Sequence, residues 1–148
     1  VKKPLLHGFM LAVGLLASMA AWADATVVNI YNFTRFAAEP MDEQGIREFI
    51  PPKSCMQVGI TRFPVKVGFR RTPESNPHDV DFEVSDPHLV CGKEGRLYSV
   101  KGHQFCIDKQ TFAGVYLLDL VIIGHDSAYL RNSLGDCPAH PVPWYIGV

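Results

Sequence analysis

Between residues 63 and 69 every odd position, Phe63, Val65, Val67 and Phe69, is apolar, and Lys66 lies on the opposite face. Period-two alternation of this kind marks a half-buried strand, because successive side chains of extended backbone point to opposite faces. Residues 79–85 repeat it, with Val80, Phe82 and Val84 inward and Asp81 and Glu83 outward. Just upstream, Met56, Val58 and Ile60 keep the even register, so the inward face changes near Arg62, where a bulge or short turn accounts for the switch. Residues 26–33 are rich in β-branched and aromatic types, and residues 97–100 and 104–107 read as shorter strands about Lys101-Gly102-His103. Residues 115–123 are apolar except for Asp119, and Val115, Val121, Ile122 and Ile123 favour a buried strand over a buried helix. The pattern predicts a mainly β domain: an antiparallel β-sandwich, or a small barrel, of seven to eight short strands. One or two helical turns are expected beside it. Residues 41–49 follow Pro40, with Gly45 a weak point, and residues 127–134 have Asp126 as N-cap, Leu130 and Leu134 on one face and Gly135 as a stop.

The N-terminus restricts where such a domain works. Lys2 and Lys3 precede a segment, residues 5–21, that is apolar except for His7 and Ser18. Small residues follow in two frames, Ala21-Trp22-Ala23 and Ala23-Asp24-Ala25. These are the three parts of a secretory signal peptide, and the uninterrupted apolar core, residues 8–17, falls short of the ~20 residues that span a bilayer. Val1 stands where Met is expected, as a GTG start codon would give, which suits a bacterial chain. The expectation is a cleaved signal peptide over 1–25, a single β domain over 26–148, and a periplasmic or secreted location with no transmembrane segment in the mature chain. Losing Lys2, Lys3 and Asp24 leaves 12 cationic against 14 acidic residues, a net charge of −2. That balance argues against nucleic acid as a partner, since neutralising phosphates needs excess Lys and Arg.

All four cysteines, Cys55, Cys91, Cys106 and Cys137, lie in the mature part. An even number in an oxidising compartment reads as two disulfides, and none of the spacings is that of a zinc knuckle or a redox-active pair. The strand, turn and strand between Cys91 and Cys106 favour a local bridge, which leaves Cys55 for Cys137. The Asn32-Phe33-Thr34 glycosylation pattern is read as coincidence, with Asn32 a polar strand residue.

Three signals in the sequence bear on chemistry. The loop histidines His88, His103 and His125 could hold a metal or serve as acid and base, yet no His-x-His or His-Glu-x-x-His spacing arranges two of them together. No Gly-x-Ser-x-Gly motif exists, and Asp119 inside its apolar run reads as a packing acid that accepts hydrogen bonds from backbone or arginine. The third signal is a surface for another protein, for which Trp144, Tyr145, Arg70 and Arg71 are the candidates, aromatics and arginine being enriched at interface hot spots. The sequence thus points to an exported, non-catalytic binding module with a protein partner and no cofactor, of the inhibitor or immunity type. A small envelope enzyme or metal-binding protein using the three histidines, and a structural subunit of a surface assembly, are the alternatives.

Overall fold

A computed structural model describes residues 25–42, 45–46, 48–60, 62–70, 80–110 and 114–143. The expected signal segment through residue 24 lies outside the described residues, as do Arg71, Trp144 and Tyr145.

The described chain is mainly β and contains no helix. Its strands are β1 (Thr26–Asn32), β2 (Ala37–Asp42), β3 (Gly45–Ile46), β4 (Ser54–Ile60), β5 (Val65–Arg70), β6 (Phe82–Val84), β7 (Val90–Cys91), β8 (Gly95–Val100), β9 (His103–Ile107), β10 (Tyr116–Gly124), β11 (Ser127–Asn132) and β12 (Val142–Pro143). They form a five-stranded sheet, β11-β10-β1-β4-β12, a four-stranded sheet, β3-β2-β5-β6, and a three-stranded sheet, β7-β8-β9. A backbone bridge between Ser85 and Ser99 joins the two smaller sheets.

One core lies between them. Val28, Ile30, Met56, Val58, Leu118, Leu120, Ile122 and Leu130 come from the five-stranded sheet. Val65, Val67, Phe69, Phe82 and Val84 come from the four-stranded sheet, and Tyr98, Val100 and Ile107 from the three-stranded one. The inward registers read from the sequence, even in β4 and odd in β5, are the registers seen here. The switch falls between the two strands, where a cis Phe63-Pro64 peptide makes the turn.

Several expectations are corrected. Strands are more numerous than seven or eight because short pairings, such as Met41 with Ile46, count as strands of their own. Among the described residues the sheets do not close into a barrel. The arrangement is not wholly antiparallel: β1 and β10 run parallel, Thr26 beside Tyr116 through Asn32 beside Ile122. Both strands are buried on both faces, the condition under which parallel pairs occur.

Neither helical turn forms. Residues 41–42 and 45–46 are a strand pair, and residues 127–132 are β11, in which Ala128 and Leu130 are buried at period two. Leu134, which completed the helical stripe, is exposed, so tertiary burial overrode the local pattern. Asp126 caps nothing and instead sits in the β10–β11 turn, paired with Lys101. Val80, expected inward, is also exposed.

Candidate functional site

Polar groups inside the fold account for much of its chemistry. Asn29 and Asp119 lie side by side on β1 and β10, both fully buried, on the face of the five-stranded sheet away from the core. The Asn29 amide donates to Asp119 Oδ1 (3.2 Å), Ser133 Oγ (3.1 Å) and the Gly135 carbonyl (3.2 Å), and its Oδ1 accepts the Cys137 N–H (3.1 Å). Asp119 Oδ2 accepts from Arg131 Nε (3.0 Å) and from the Leu134 N–H (3.2 Å). Asp119 is therefore the packing acid the sequence suggested. Together these bonds seat residues 133–142 as a strap across the sheet, and the strap covers a second apolar cluster of Tyr31, Cys55, Val121 and Cys137. Burial, with the Asp119 charge beside it, raises the Tyr31 pKa against the opposing pull of Arg131.

Asn32 is likewise committed inside the protein. Its amide donates to the carbonyls of Phe36 (2.6 Å) and Ile50 (2.9 Å), and its Oδ1 accepts from Thr34. With that nitrogen buried, the glycosylation triplet has no acceptor to offer.

The disulfides pair as expected, Cys55 with Cys137 and Cys91 with Cys106. The first is buried beneath the strap. The second crosses the outer face of the three-stranded sheet, from β7 to β9, over Gly95 of β8. A methyl group on Gly95 would stand 2.7 Å from the Cys91 carbonyl oxygen and 2.8 Å from Cys106 Sγ.

Arg70, a sequence candidate for binding, makes an ion pair with the buried Glu39 (2.6 Å) and lies 3.9 Å from the centroid of the Phe49 ring. Its side chain is half-buried, 35% exposed, so part of it still faces solvent. His88 lies between β6 and β7, His103 at the start of β9 and His125 in the β10–β11 turn, and the Lys101–Asp126 pair (2.8 Å) ties the turn before His103 to the turn that holds His125. Among the described residues no group of three or more His, Cys, Asp or Glu is placed to hold a metal ion.

What the sequence reading missed lies around β7. After Ser85 pairs with Ser99, the chain leaves the ladder for three residues, 86–88, and rejoins when the Leu97 N–H donates to the Leu89 carbonyl (2.9 Å). Asp86 fixes this bulge. Its carboxylate accepts the His88 N–H (2.8 Å) and pairs with Arg96 Nη1 (3.3 Å), while His88 takes a left-handed backbone, φ 59°. Burial works against the Arg96 charge, yet Asp86, with Tyr98 and Tyr116 adding to it, keeps the guanidinium pKa above its ordinary value.

Beyond the bulge, Leu89 and Val90 are 51% and 83% exposed. Bonded and non-bonded pairs alternate along an antiparallel ladder. Leu89 with Leu97 is a bonded pair, so Val90 with Arg96 is not, and the Val90 N–H and C=O point away from β8. No strand lies against that side of β7 among the described residues. An edge with unpaired backbone groups accepts another strand, and proteins usually guard such edges with Lys or Pro. Here the two positions themselves hold leucine and valine, with Pro87 in the bulge before them and Lys93 in the turn after. The signal was available in the sequence as Leu89-Val90 beside a cysteine, but a pair this short shows no period.

Compared with models of known protein families, with curated proteins and with solved structures, the chain has no match.

Proposed function

We propose that this protein is a non-catalytic module that binds a protein partner by adding the partner's extended segment to the open edge of β7. The observation that carries this reading is the Val90 backbone turned away from β8, beside the exposed side chains of Leu89 and Val90, on a sheet edge left open among the described residues. In strand addition, main-chain hydrogen bonds supply affinity and neighbouring side chains supply selectivity. The fold in this reading is a β-sandwich, with the five-stranded sheet as one layer and the two bridged sheets as the other.

The setting is an exported one. Two disulfides fit an oxidising compartment, and no helix among the described residues is long and apolar enough to cross a membrane. A small disulfide-bonded module exported to the periplasm, or secreted, suits an inhibitor or immunity-type role against an envelope enzyme. Trp144, Tyr145 and Arg71 stay candidates for the rim of such an interface.

Val90→Pro tests the edge directly. Proline removes the outward N–H without touching the ladder to β8, and edge strands tolerate it. The mature protein and this variant, matched by thermal melts, would be used to capture partners from an envelope extract. A protein held by the parent and lost from the variant is the expected outcome. Equal capture by both would defeat the edge as the binding site.

A further inference from the structure

We propose that the Cys91–Cys106 disulfide is a site of thiol–disulfide exchange with a dithiol reductant, whereas Cys55–Cys137 is closed to it. The two bridges differ in access. Cys55 and Cys137 are 5% and 4% exposed, under the strap that Asn29 and Asp119 hold in place. Cys106 is exposed and Cys91 half-buried, and their bridge lies on an outer sheet face over a glycine that raises no side chain beside it. Exchange needs an attacking thiolate in line with the sulfur–sulfur bond, so access decides which bridge reacts.

The second observation is what the bridge holds. Among residues 86–94 no side chain joins the apolar core, and β7 meets β8 over two residues only. Asp86, anchored to Arg96, closes the segment at one end, and the β8–β9 ladder, five residue pairs long, continues at the other. Opening the bridge therefore leaves β7 and the turn after it held only by the short ladder to β8 and the Tyr116 hydroxyl's bond to the Glu94 carbonyl (3.1 Å), while the sheets and their shared core persist. The opposite holds for Cys55–Cys137, whose sulfurs are part of an apolar cluster.

The reaction balances with a dithiol as the named reductant. One of its thiolates attacks Cys106 Sγ, a mixed disulfide forms, and Cys91 leaves as a thiolate that takes up a proton. The reductant's second thiol then attacks its own sulfur in the mixed disulfide and releases Cys106. The protein bridge gains two electrons and the dithiol becomes a disulfide. The site does not depend on whether β7 also binds a partner.

The test exposes the folded mature protein to increasing dithiothreitol without denaturant, followed by alkylation and peptide mass mapping. Cys91 and Cys106 should become alkylated at dithiothreitol concentrations on the order of ten-fold below those needed for Cys55 and Cys137. Far-ultraviolet circular dichroism should keep its β spectrum at that stage. A Cys91→Ser/Cys106→Ser variant should show no alkylation over the same range. Simultaneous reduction of both bridges, earlier reduction of Cys55–Cys137, or no thiols until the protein unfolds would each overturn the proposal.

Discussion

Gly95 and two tyrosines show how much single positions decide. Gly95→Ala places a methyl group against both the Cys91 carbonyl and the bridging sulfurs, and the carbonyl belongs to backbone that cannot swing aside. The expected cost is about 1–3 kcal/mol, typical of an overpacked site, and a thermal melt measures it. Tyr98 is buried with its hydroxyl 2.6 Å from Thr26 Oγ1, and burial raises its pKa although that hydrogen bond pulls the other way. Tyr31 is raised too, again first by burial. Both phenols hold their protons more tightly folded than unfolded. The stability they contribute is therefore whole below the ordinary tyrosine pKa of about 10 and is lost as the pH climbs through their folded values. Phenolate absorbance followed during alkaline titration should show late-titrating tyrosines, one fewer in Tyr98→Phe, with unfolding overlapping their ionisation.

Among the elements, those with a long regular pattern were legible in the sequence and those set by a partner were not. β5, β9 and β10 match the alternating or apolar runs that announced them. Residues 127–134 did not, because Leu130 and Leu134 fit a helical face while Ala128 and Leu130 fit a strand, and only the neighbouring β10 selects between them. His88 and His125 lie in a loop and a turn as the sequence suggests, whereas His103, expected in the turn, is the first residue of β9, paired with Val100. All three are exposed, so replacing His88, His103 and His125 together by Ala should leave the β spectrum intact. The left-handed backbone at His88 already bears a Cβ, so alanine there adds little to the cost of about 1–2 kcal/mol that this conformation imposes on any L residue. Stoichiometric metal in the parent protein, lost in this variant, would reverse the reading of these residues. The β7 edge gave no periodic signal at all, since two residues have no period.

For the whole molecule, the strap and its disulfide matter more than their size suggests. Closing an 82-residue separation constrains the unfolded chain by about 4.5 kcal/mol in the chain-entropy account, against about 3 kcal/mol for the 15-residue one. Cys55→Ser/Cys137→Ser should therefore lower the denaturation midpoint further than Cys91→Ser/Cys106→Ser. Asp119→Asn keeps the shape but weakens bonds from Arg131 and Leu134, each hydrogen bond to a charged group being worth about 1.5–3 kcal/mol. Its effect in urea should approach that of losing the strap's disulfide.

The parallel pairing of β1 with β10 sets the order in which this chain can become a protein. The first strand has its central neighbour ninety positions downstream, as the Asn29–Asp119 contact shows. Until β10 has emerged, β1 can pair only with β4 and stays bare on its other flank. Contacts so remote in sequence form slowly, after a costly loop closure. A chain threaded through a membrane N-terminus first would thus cross almost entirely before its largest sheet could close. The four-stranded sheet, built wholly from residues 37–84, can form earlier, but the five-stranded sheet waits for the C-terminal third of the chain.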